Sequence, residues 1–410
     1  MRGVGAGAAV AATGCRSVPT APNRSDAAVA ILEPTATSFV VAAWARQART
    51  ARIAVQRAGK LVRSAALALA ESGSGHAVID GLAAGTEYTI TVTTADGIRL
   101  AHRARTSPHA DDPRPVSIAM LADVDPSPAF DSDLVAHLVA ASPDLLVSLG
   151  DFPYCDNGPD VAHTLAAYRD RHSEVRTLPK VRKLLESVAI RGIYDDHEFR
   201  NDWDAAAMRA EPARYHAAMT AWDEFFPVPG AVGDVRYRSW RWGASVECFL
   251  LDCRRFRGAG TMLGATQRAW LVERIRRSSA SFKLVFTSVP LDFGNGLDHW
   301  SGFLAERDAL FEAVLGIPGI LFVSADQHWF AAHRHTYGIR EFQVGPLARG
   351  IGIPPAPQPG VLFRAERYNV GLIEIARGRL TFVGLGAGGD RFYRETFTPD
   401  QLRPRRGDTV

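Results

Sequence analysis

Acidic and histidine side chains follow four separate apolar runs of this 410-residue chain. In the clearest case, the run from Val188 to Tyr194 stops abruptly at Asp195-Asp196-His197-Glu198. Such a pattern is typical of a buried parallel strand that ends at a polar crevice, and ligands of open α/β sheets bind at the carboxyl ends of strands. We therefore expect one shared site, built from Asp123 and Asp125, Asp151 and Tyr154, Asp196, His197 and Asn201, and Asp326 and His328.

These residue types favour metal chemistry. A single acid at a strand end is most often a cap or an ion-pair partner. Converging carboxylates repel each other and are costly to desolvate, so a cluster of them is tolerated when cations lie among them. Oxygen donors with two histidines indicate a two-metal hydrolase centre, in which two cations hold a phosphoryl group and one of them carries the attacking hydroxide.

Composition excludes several other classes. The net charge of +3 leaves no evident nucleic-acid-binding patch. No apolar run is long enough for a transmembrane helix. The cysteines contain no C-x-x-C pair, so neither a zinc ribbon nor a disulfide-rich scaffold is indicated; they are Cys15, Cys155, Cys248 and Cys253.

The N-terminus resembles an export signal. Arg2 precedes a small-residue apolar run that leads to Cys15, in the manner of a bacterial lipoprotein leader. We expect residues 1–27 to be a leader and flexible tether, with Cys15 as a lipid anchor. The protein would then be exported, as a cell-surface or periplasmic lipoprotein or in secreted form. The alternative is a disordered Ala/Gly leader.

Two folded regions follow. Residues 28–107 contain short alternating strands separated by turn residues, which predicts a small all-β sandwich. It resembles a fibronectin III or Ig-like domain, with Tyr88 at a corner where it can bond to upstream backbone. Residues 107–115 form a proline-containing linker. From residue 116, buried strands alternate with helical segments, which predicts an α/β (α+β layered) domain over 116–410.

Together, the motifs resemble a known family. D-x-D at 123–125, G-D-x-x-Y at 150–154, D-D-H-E at 195–198 and D-x-H at 326–328 occur in the order found in calcineurin-like metallophosphoesterases, specifically the PhoD-like alkaline phosphatases. Further matches lie at 251–257, 263–271 and 339–347. The resemblance covers nearly the whole chain, and implies a metallophosphoesterase sandwich that hydrolyses phosphoric esters.

The resemblance also implies residue roles. Asp151 matches the carboxylate that bridges two metals, and Tyr154 a tyrosinate ligand. His197 matches the histidine that contacts phosphate and protonates the leaving oxygen, while Arg254 offers a bidentate fork for phosphate. Asp195 and Glu198 are expected to orient His197. The remaining matches are metal ligands: Asp123, Asp125, Asp196 or Asn201, Asp326 and His328.

Two departures affect the choice of metals. The cysteine ligand that such enzymes often carry after the first strand is absent, and Thr287-Ser288 stands where the superfamily has a ligand histidine. The second site therefore keeps only oxygen donors, which suit Ca²⁺, Mg²⁺ or Mn²⁺ better than Zn²⁺. Asp, Tyr and His at the first site suit iron. We expect two or more metal ions, with Fe(III) plus Ca(II) favoured over Mn(II), Mg(II) or Zn(II).

The sequence leaves alternatives open. A phosphate ester is the expected substrate, but monoester and diester hydrolysis are not distinguished. The rival interpretations are a catalytically silent, metallophosphatase-like binding protein with a β-sandwich adhesion module, and a metallohydrolase that acts on another class of bond. His333 and His335 follow the last motif closely; we expect them to be surface residues rather than part of the site.

Overall fold

A computed structural model describes residues 25–125, 133–158, 161–233, 235–296 and 298–408. The leader and the expected anchor Cys15 lie outside these residues. Among the described residues, no helix has both the length and the apolar character needed to cross a bilayer.

The N-terminal region is a sandwich of two antiparallel layers. Alternating residues of the facing strands fill its core, among them Ile31, Val41, Ile53 and Ile90, as expected for strands that bury one face. Tyr88 accepts a hydrogen bond from the backbone N–H of Ala83 at 2.8 Å, the corner contact expected from the sequence. The strands are β1 (Ala27–Leu32), β2 (Phe39–Ala45), β3 (Thr50–Arg57), β4 (Lys60–Ala68), β5 (Ser74–Ile79), β6 (Glu87–Thr94) and β7 (Arg99–Arg105).

The remaining strands form two mixed sheets that pack face to face. Their shared core contains Ile118, Val147, Leu284 and Val323. The strands are β8 (Val116–Leu121), β9 (Leu145–Ser148), β10 (Ile190–Gly192), β11 (Arg238–Trp242), β12 (Val246–Leu250), β13 (Phe282–Phe286), β14 (Ile320–Ser324), β15 (Phe330–Arg334), β16 (Arg340–Gln343), β17 (Val361–Ala365), β18 (Asn369–Ala376), β19 (Arg379–Gly386) and β20 (Arg391–Phe397).

Helices cover the outer faces of both sheets, as connections between parallel strands require. One outer core, which includes Leu138, Leu184 and Trp222, lies on the β8–β9–β10 side. A second, which includes Leu271 and Phe311, lies on the β12–β13–β14 side. The helices are α1 (Leu134–Ala141), α2 (Leu165–Thr177), α3 (Pro179–Ser187), α4 (Ala205–Ala210), α5 (Pro212–Phe225), α6 (Gly264–Arg277) and α7 (Leu304–Ala313).

The two regions share a sheet. The strand order β20-β19-β18-β8-β9-β10-β1-β2-β5 places three N-terminal strands at the edge of the first large sheet. The joining contact is short, with Leu32 of β1 opposite Ile190 of β10 in parallel register. The other large sheet has the order β11-β12-β13-β14-β16-β15-β17, and the order β4-β3-β6-β7 completes the N-terminal sandwich. The sandwich therefore lies directly beside β10, one of the strands that leads to the expected site.

A buried ion-pair network reinforces this junction. The carboxylate of Glu33, just after β1, accepts hydrogen bonds from Arg191 of β10 and Arg238 of β11. Glu33 is 7% exposed and Arg191 5% exposed. Burial alone would raise the pKa of Glu33, but the two guanidinium groups lower it overall, so the carboxylate is the charged partner that both arginines need.

Replacing this carboxylate is expected to destabilise the fold. Glu33→Ala leaves two buried guanidinium groups without their partner, a change that typically costs about 3 kcal/mol or more. Urea unfolding followed by tryptophan fluorescence measures the loss. Glu87→Ala is the matched control, because its pair with Arg103 is exposed and such pairs are worth less than about 1 kcal/mol. Equal stability of the two variants would contradict this role for Glu33.

Candidate metal centre

The four acidic motifs converge where the two large sheets meet. Strands β8, β9 and β10 are parallel neighbours in one sheet, and β14 lies parallel to β13 in the other. Their carboxyl ends deliver Asp123, Asp151, Asp196 and Asp326 to one place. Donor atoms fall into overlapping groups, within each of which all atoms lie within 4.8 Å of one another. The acidic side chains thus lie close together at the carboxyl ends of the strands, which is where the sequence predicted them.

The backbone turns sharply to present these side chains. Asp123, Asp151, Asp326 and His328 have φ angles of 58°, 57°, 77° and 62°. Few residues other than glycine adopt this left-handed region, and each costs of order 1 kcal/mol in backbone strain. Four such residues follow the ends of three strands. The fold thus tolerates backbone strain at these positions, and this strained backbone directs the four side chains toward the site.

The first group of donors contains two carboxylates, a phenol and an imidazole. Asp123, Asp151 and His328 form one of the potential metal-holding groups. The Tyr154 hydroxyl lies 2.8 Å from His328 Nε2 and 3.5 Å from Asp123 Oδ1. The Nδ1 atom of His328 is 2.8 Å from the carbonyl oxygen of Gly350, which fixes the ring and leaves Nε2 facing the group.

The second group centres on Asp196 and consists of carboxylates together with the imidazole of His197. Asp151 joins Asp196 and His197 in one set, and Asp196 joins Asp195 and Asp326 in the next. Asp151 therefore belongs to both the first and second groups, and it is 1% exposed. A carboxylate shared by adjoining donor sets is the arrangement that a pair of neighbouring cations requires.

Several of these carboxylate oxygens make no hydrogen bond to any described residue. Asp123 Oδ2, Asp151 Oδ2 and Asp196 Oδ1 are buried and make no hydrogen bond among the described residues. Burial, followed by the charges of neighbouring aspartates, raises the pKa of Asp123 well above its usual range; the pKa of Asp151 is raised as well, chiefly by burial. Nearby cationic side chains offset only part of the charge of these carboxylates when they are ionised, and hard cations bound by oxygen would offset the rest. The donors present thus fit metal ions.

His197 lies over the first group. Its ring packs against that of Tyr154, with centroids 4.2 Å apart, and its side chain is 15% exposed. Burial lowers its pKa, but Asp196, Asp151 and a hydrogen bond with Asp156 outweigh burial and raise the pKa to about 11. The imidazole is thus held in its protonated form beside the carboxylates.

The partner of His197 is Asp156, not Asp195 or Glu198 as expected. His197 Nδ1 lies 2.7 Å from Asp156 Oδ1. Glu198 instead accepts hydrogen bonds from the backbone N–H groups of Phe152 and Asp195, at 2.7 and 2.9 Å, because its side chain turns back under the loop. Asp156 lies two residues after the G-D-x-x-Y motif, and no spacing in the sequence indicates its contact with His197.

Arg254 is at the centre, but its donors are already engaged. It is fully buried; Nε and Nη2 donate to Asp195 at 2.6 and 2.8 Å. Nη1 and Nη2 donate to Asp298 at 2.7 and 2.6 Å. Its Nη2 atom also lies 3.5 Å from Asp196 and 3.7 Å from Asp326. Arg254 is therefore a fixed counter-charge between carboxylates. The sequence instead predicted a guanidinium that is free to bind phosphate through two N–H groups.

Two expected ligands lie apart from the groups. Asp125 pairs with Arg349 at 2.9 Å and, in the part of the chain that the structure describes, occurs in none of the potential metal-holding groups. The Asn201 residue is exposed, and its backbone N–H donates to Asp156. Asp196 is 1% exposed and sits within the second group, so the geometry favours Asp196 over Asn201.

Asp298 and Arg349 were missed by sequence reasoning. Asp298 follows a loop without a motif, yet it holds Arg254 and accepts from Arg257. The Arg349 guanidinium lies 4.6 Å over the Tyr154 ring and is 35% exposed, which makes it a cation at the rim. Both depend on contacts between distant segments, so local spacing carries no signal for them.

The fold defines the class as metallophosphoesterase-like. A solved structure titled "Structure of PhoD" superposes with a TM-score of 0.80 at 17% identity, covering 93% of this chain and 92% of that one. A purple acid phosphatase from yellow lupin (Lupinus luteus) seeds superposes with a TM-score of 0.69 at 11% identity, covering 93% and 77%.

The sequence comparison narrows the class. The model of the PhoD-like phosphatase family matches residues 132–353, and the chain belongs to this family. Alkaline phosphatase D of Bacillus subtilis (strain 168) is 22% identical over 247 residues, which is 47% of this chain. The match spans 42% of the length of that relative. The region that the family model matches, residues 132–353, contains every site residue except Asp123 and Asp125, which follow β8.

Neutralising one carboxylate should separate ligands from neighbours. Asp123→Asn is expected to lower the metal content, because it removes a charged donor of the first group. Elemental analysis of the purified protein measures iron, calcium, manganese, magnesium and zinc per chain. Asp125→Asn is the control and should keep the full content, since Asp125 is paired with Arg349. Equal loss in both variants would show that Asp125 is a ligand as well.

Proposed function

We propose that the protein is a metal-dependent hydrolase of phosphoric esters. The observation that carries this proposal is the sharing of Asp151 between two adjoining sets of buried, uncompensated donors. Membership in the PhoD-like phosphatase family supports it. Bound cations would supply Lewis acidity toward a phosphoryl oxygen and lower the pKa of a water nucleophile.

We assign the donors to two adjoining sites. Asp123, Tyr154 and His328 would hold one cation, and Asp196 and Asp326 the other, with Asp151 between them. The phenol and imidazole of the first set suit Fe(III), and the oxygen donors of the second suit Ca²⁺ or another hard divalent cation. The elemental analysis described above distinguishes this pair from manganese, magnesium or zinc.

His197 is proposed to donate a proton to the leaving oxygen. The bond to Asp156 occupies Nδ1, so Nε2 is the nitrogen left to face the substrate. Cations among Asp151 and Asp196 would offset the negative charge that raises the pKa of His197, and so make the proton easier to transfer.

The arginines are proposed to divide two tasks. Arg254 is a positioning residue that keeps Asp195 and Asp298 in place and offsets part of the charge of the second group. Arg349, exposed at the rim, is the cation available to attract a phosphate. Its contact with the Tyr154 ring keeps the guanidinium close to the donors without using all its N–H groups.

We further infer the organisation of the whole chain. The N-terminal unit, residues 28–107, is proposed to be a fibronectin III-like structural domain beside a catalytic domain of residues 116–410. The two-layer architecture and the Tyr88 corner support this. Export, with Cys15 as a lipid anchor, remains a proposal drawn from residues 1–27, which would be checked by metabolic labelling with a palmitate analogue.

Hydrolysis of two model esters tests the main proposal. The full chain, supplied with iron and calcium or with manganese, is expected to release p-nitrophenol from p-nitrophenyl phosphate, from bis-p-nitrophenyl phosphate, or from both. Chelation should abolish the release, and readdition of metal should restore it. The comparison of the two esters decides between monoester and diester preference. No turnover of either ester with any of these metals would support the silent binding protein instead.

The leaving group should reveal the role of His197. His197→Ala is expected to lower kcat by about 10²–10⁴-fold on esters with poor leaving groups. The loss should be much smaller on p-nitrophenyl phosphate, because p-nitrophenolate leaves without a proton. Steady-state kinetics on phenyl phosphate and p-nitrophenyl phosphate measure both effects.

Two further variants serve as controls for this prediction. Asp156→Asn should show the same dependence on leaving group in weaker form, because it removes only the group that orients His197. His163→Ala, at an exposed position, should leave both substrates unaffected. Full activity of His197→Ala on phenyl phosphate would rule out its role as the proton donor.

A further inference from the structure

A cluster of two histidines and a glutamate lies on and beside β15 and β16. These strands are near β14, the strand that leads to the D-x-H motif. His333 is on β15, and it lies opposite Glu341 of β16 in antiparallel register. His335 follows β15 directly. All three are buried, at 2%, 6% and 0% exposure for His333, His335 and Glu341. The sequence interpretation of both histidines as surface residues is therefore wrong, because β15 was not foreseen and it is covered on both faces.

The three side chains point at one another. One donor atom from each lies within 4.8 Å of those of the other two, and His335 Nε2 is 2.7 Å from Glu341 Oε2. The two imidazole rings are stacked, with centroids 5.6 Å apart. The register between β15 and β17 shifts between Ala332 and His333, where Leu362 of β17 has no paired residue opposite it.

The cluster has unused ligand capacity. His333 Nε2 is buried and has no hydrogen-bond partner among the described residues. Glu341 accepts from the backbone N–H of Leu291, from Ser324 and from His335. A carboxylate has about four lone-pair positions, so one is left. A cavity of about 30 Å³, lined by both histidines, Asp292 and Arg307, offers the volume of a single ion or water.

The protonation states suit metal binding. Burial lowers the pKa of His333 to about 4, which keeps the imidazole neutral. Burial opposes ionisation of Glu341, but its hydrogen bonds with His335 and Ser324 favour the carboxylate, and its pKa is lowered overall. A neutral imidazole and an ionised carboxylate are the forms that ligate metals. Two cationic side chains line the cavity: Arg307 is held by Asp292 and the carbonyl oxygen of Leu291, and Arg334 pairs with Asp408 at 3.7 Å.

We propose that His333, His335 and Glu341 form a further metal site for a divalent transition metal such as Zn²⁺. Two imidazoles and a carboxylate are a common ligand set for this ion, and Asp292 or water can complete the tetrahedron. The site is structural. Through Glu341 it ties Leu291, at the start of the loop that carries Asp298, to Ser324 at the end of β14. It does not depend on the proposed function.

Cobalt binding tests the site separately from catalysis. The parent is the full chain carrying Asp123→Asn and Asp151→Asn, which weaken the catalytic groups. After chelation, Co²⁺ is added and the visible d–d absorption is followed. We expect one equivalent of bound Co²⁺, displaceable by Zn²⁺, with a thermal midpoint that rises on binding. His333→Asn in this parent should lose that equivalent.

His102→Asn is the matched control. His102 is equally buried, and its Nε2 atom also lacks a hydrogen-bond partner, but no potential metal-holding set among the described residues includes it. This variant should retain the equivalent of Co²⁺. If the parent binds no Co²⁺, or if the two variants bind it equally, the site is only a hydrogen-bonded His–Glu network.

A measurement on the parent alone covers the case in which His333→Asn does not fold. X-ray absorption at the zinc edge is expected to show a shell of nitrogen and oxygen scatterers at about 2.0–2.1 Å with the outer-shell signature of two imidazoles. A shell containing fewer than two imidazoles would overturn the proposal.

Discussion

The burial of several carboxylates at one point is the constraint on which the site depends. Asp123, Asp151 and Asp196 expose no more than 1% of their surface, so water cannot offset their charge. An uncompensated charge in such a place costs several kcal/mol. Arg254 offsets part of it, since it lies within ion-pair distance of Asp195, Asp196 and Asp298. What remains is the electrostatic reason for cations at this position.

Backbone features elsewhere follow from this crowding. A Cβ atom on Gly345 would lie 2.2 Å from Asp123 Oδ2, and one on Gly150 would lie 2.4 Å from Asp195 Cβ. Both glycines also have positive φ, 97° and 111°. They are required where the chain passes closest to the carboxylates. The motif at 339–347 thus makes room for Asp123, a proposed donor of the first motif, although it contributes none of the proposed donors itself.

The sequence predicted the strand ends well, because an apolar run that stops at acids is a local signal. The buried strands β8, β9 and β14 and the residues after them lie where that signal placed them. It was weaker for β4, whose residues are mostly exposed, and for β7, where arginines alternate with buried residues. The sequence did not indicate contacts between distant segments. Examples are the contacts of Asp156 with His197 and of Asp298 with Arg254, because each of these contacts joins segments about forty residues apart.

Arg254 also bears on the residue expected, but absent, at the second site. Where the superfamily resemblance implies a ligand histidine, Ser288 donates a hydrogen bond to Asp195, and Asp195 in turn holds Arg254 at 2.6 Å. The place of a neutral histidine ligand is thus taken by the hydrogen-bonded series Ser288–Asp195–Arg254. This series ends in the permanent positive charge of Arg254, which lies beside Asp196 and Asp326. In the proposed assignment, the first set contains a phenol and an imidazole and the second only carboxylates, and this difference favours two unlike ions over a matched pair.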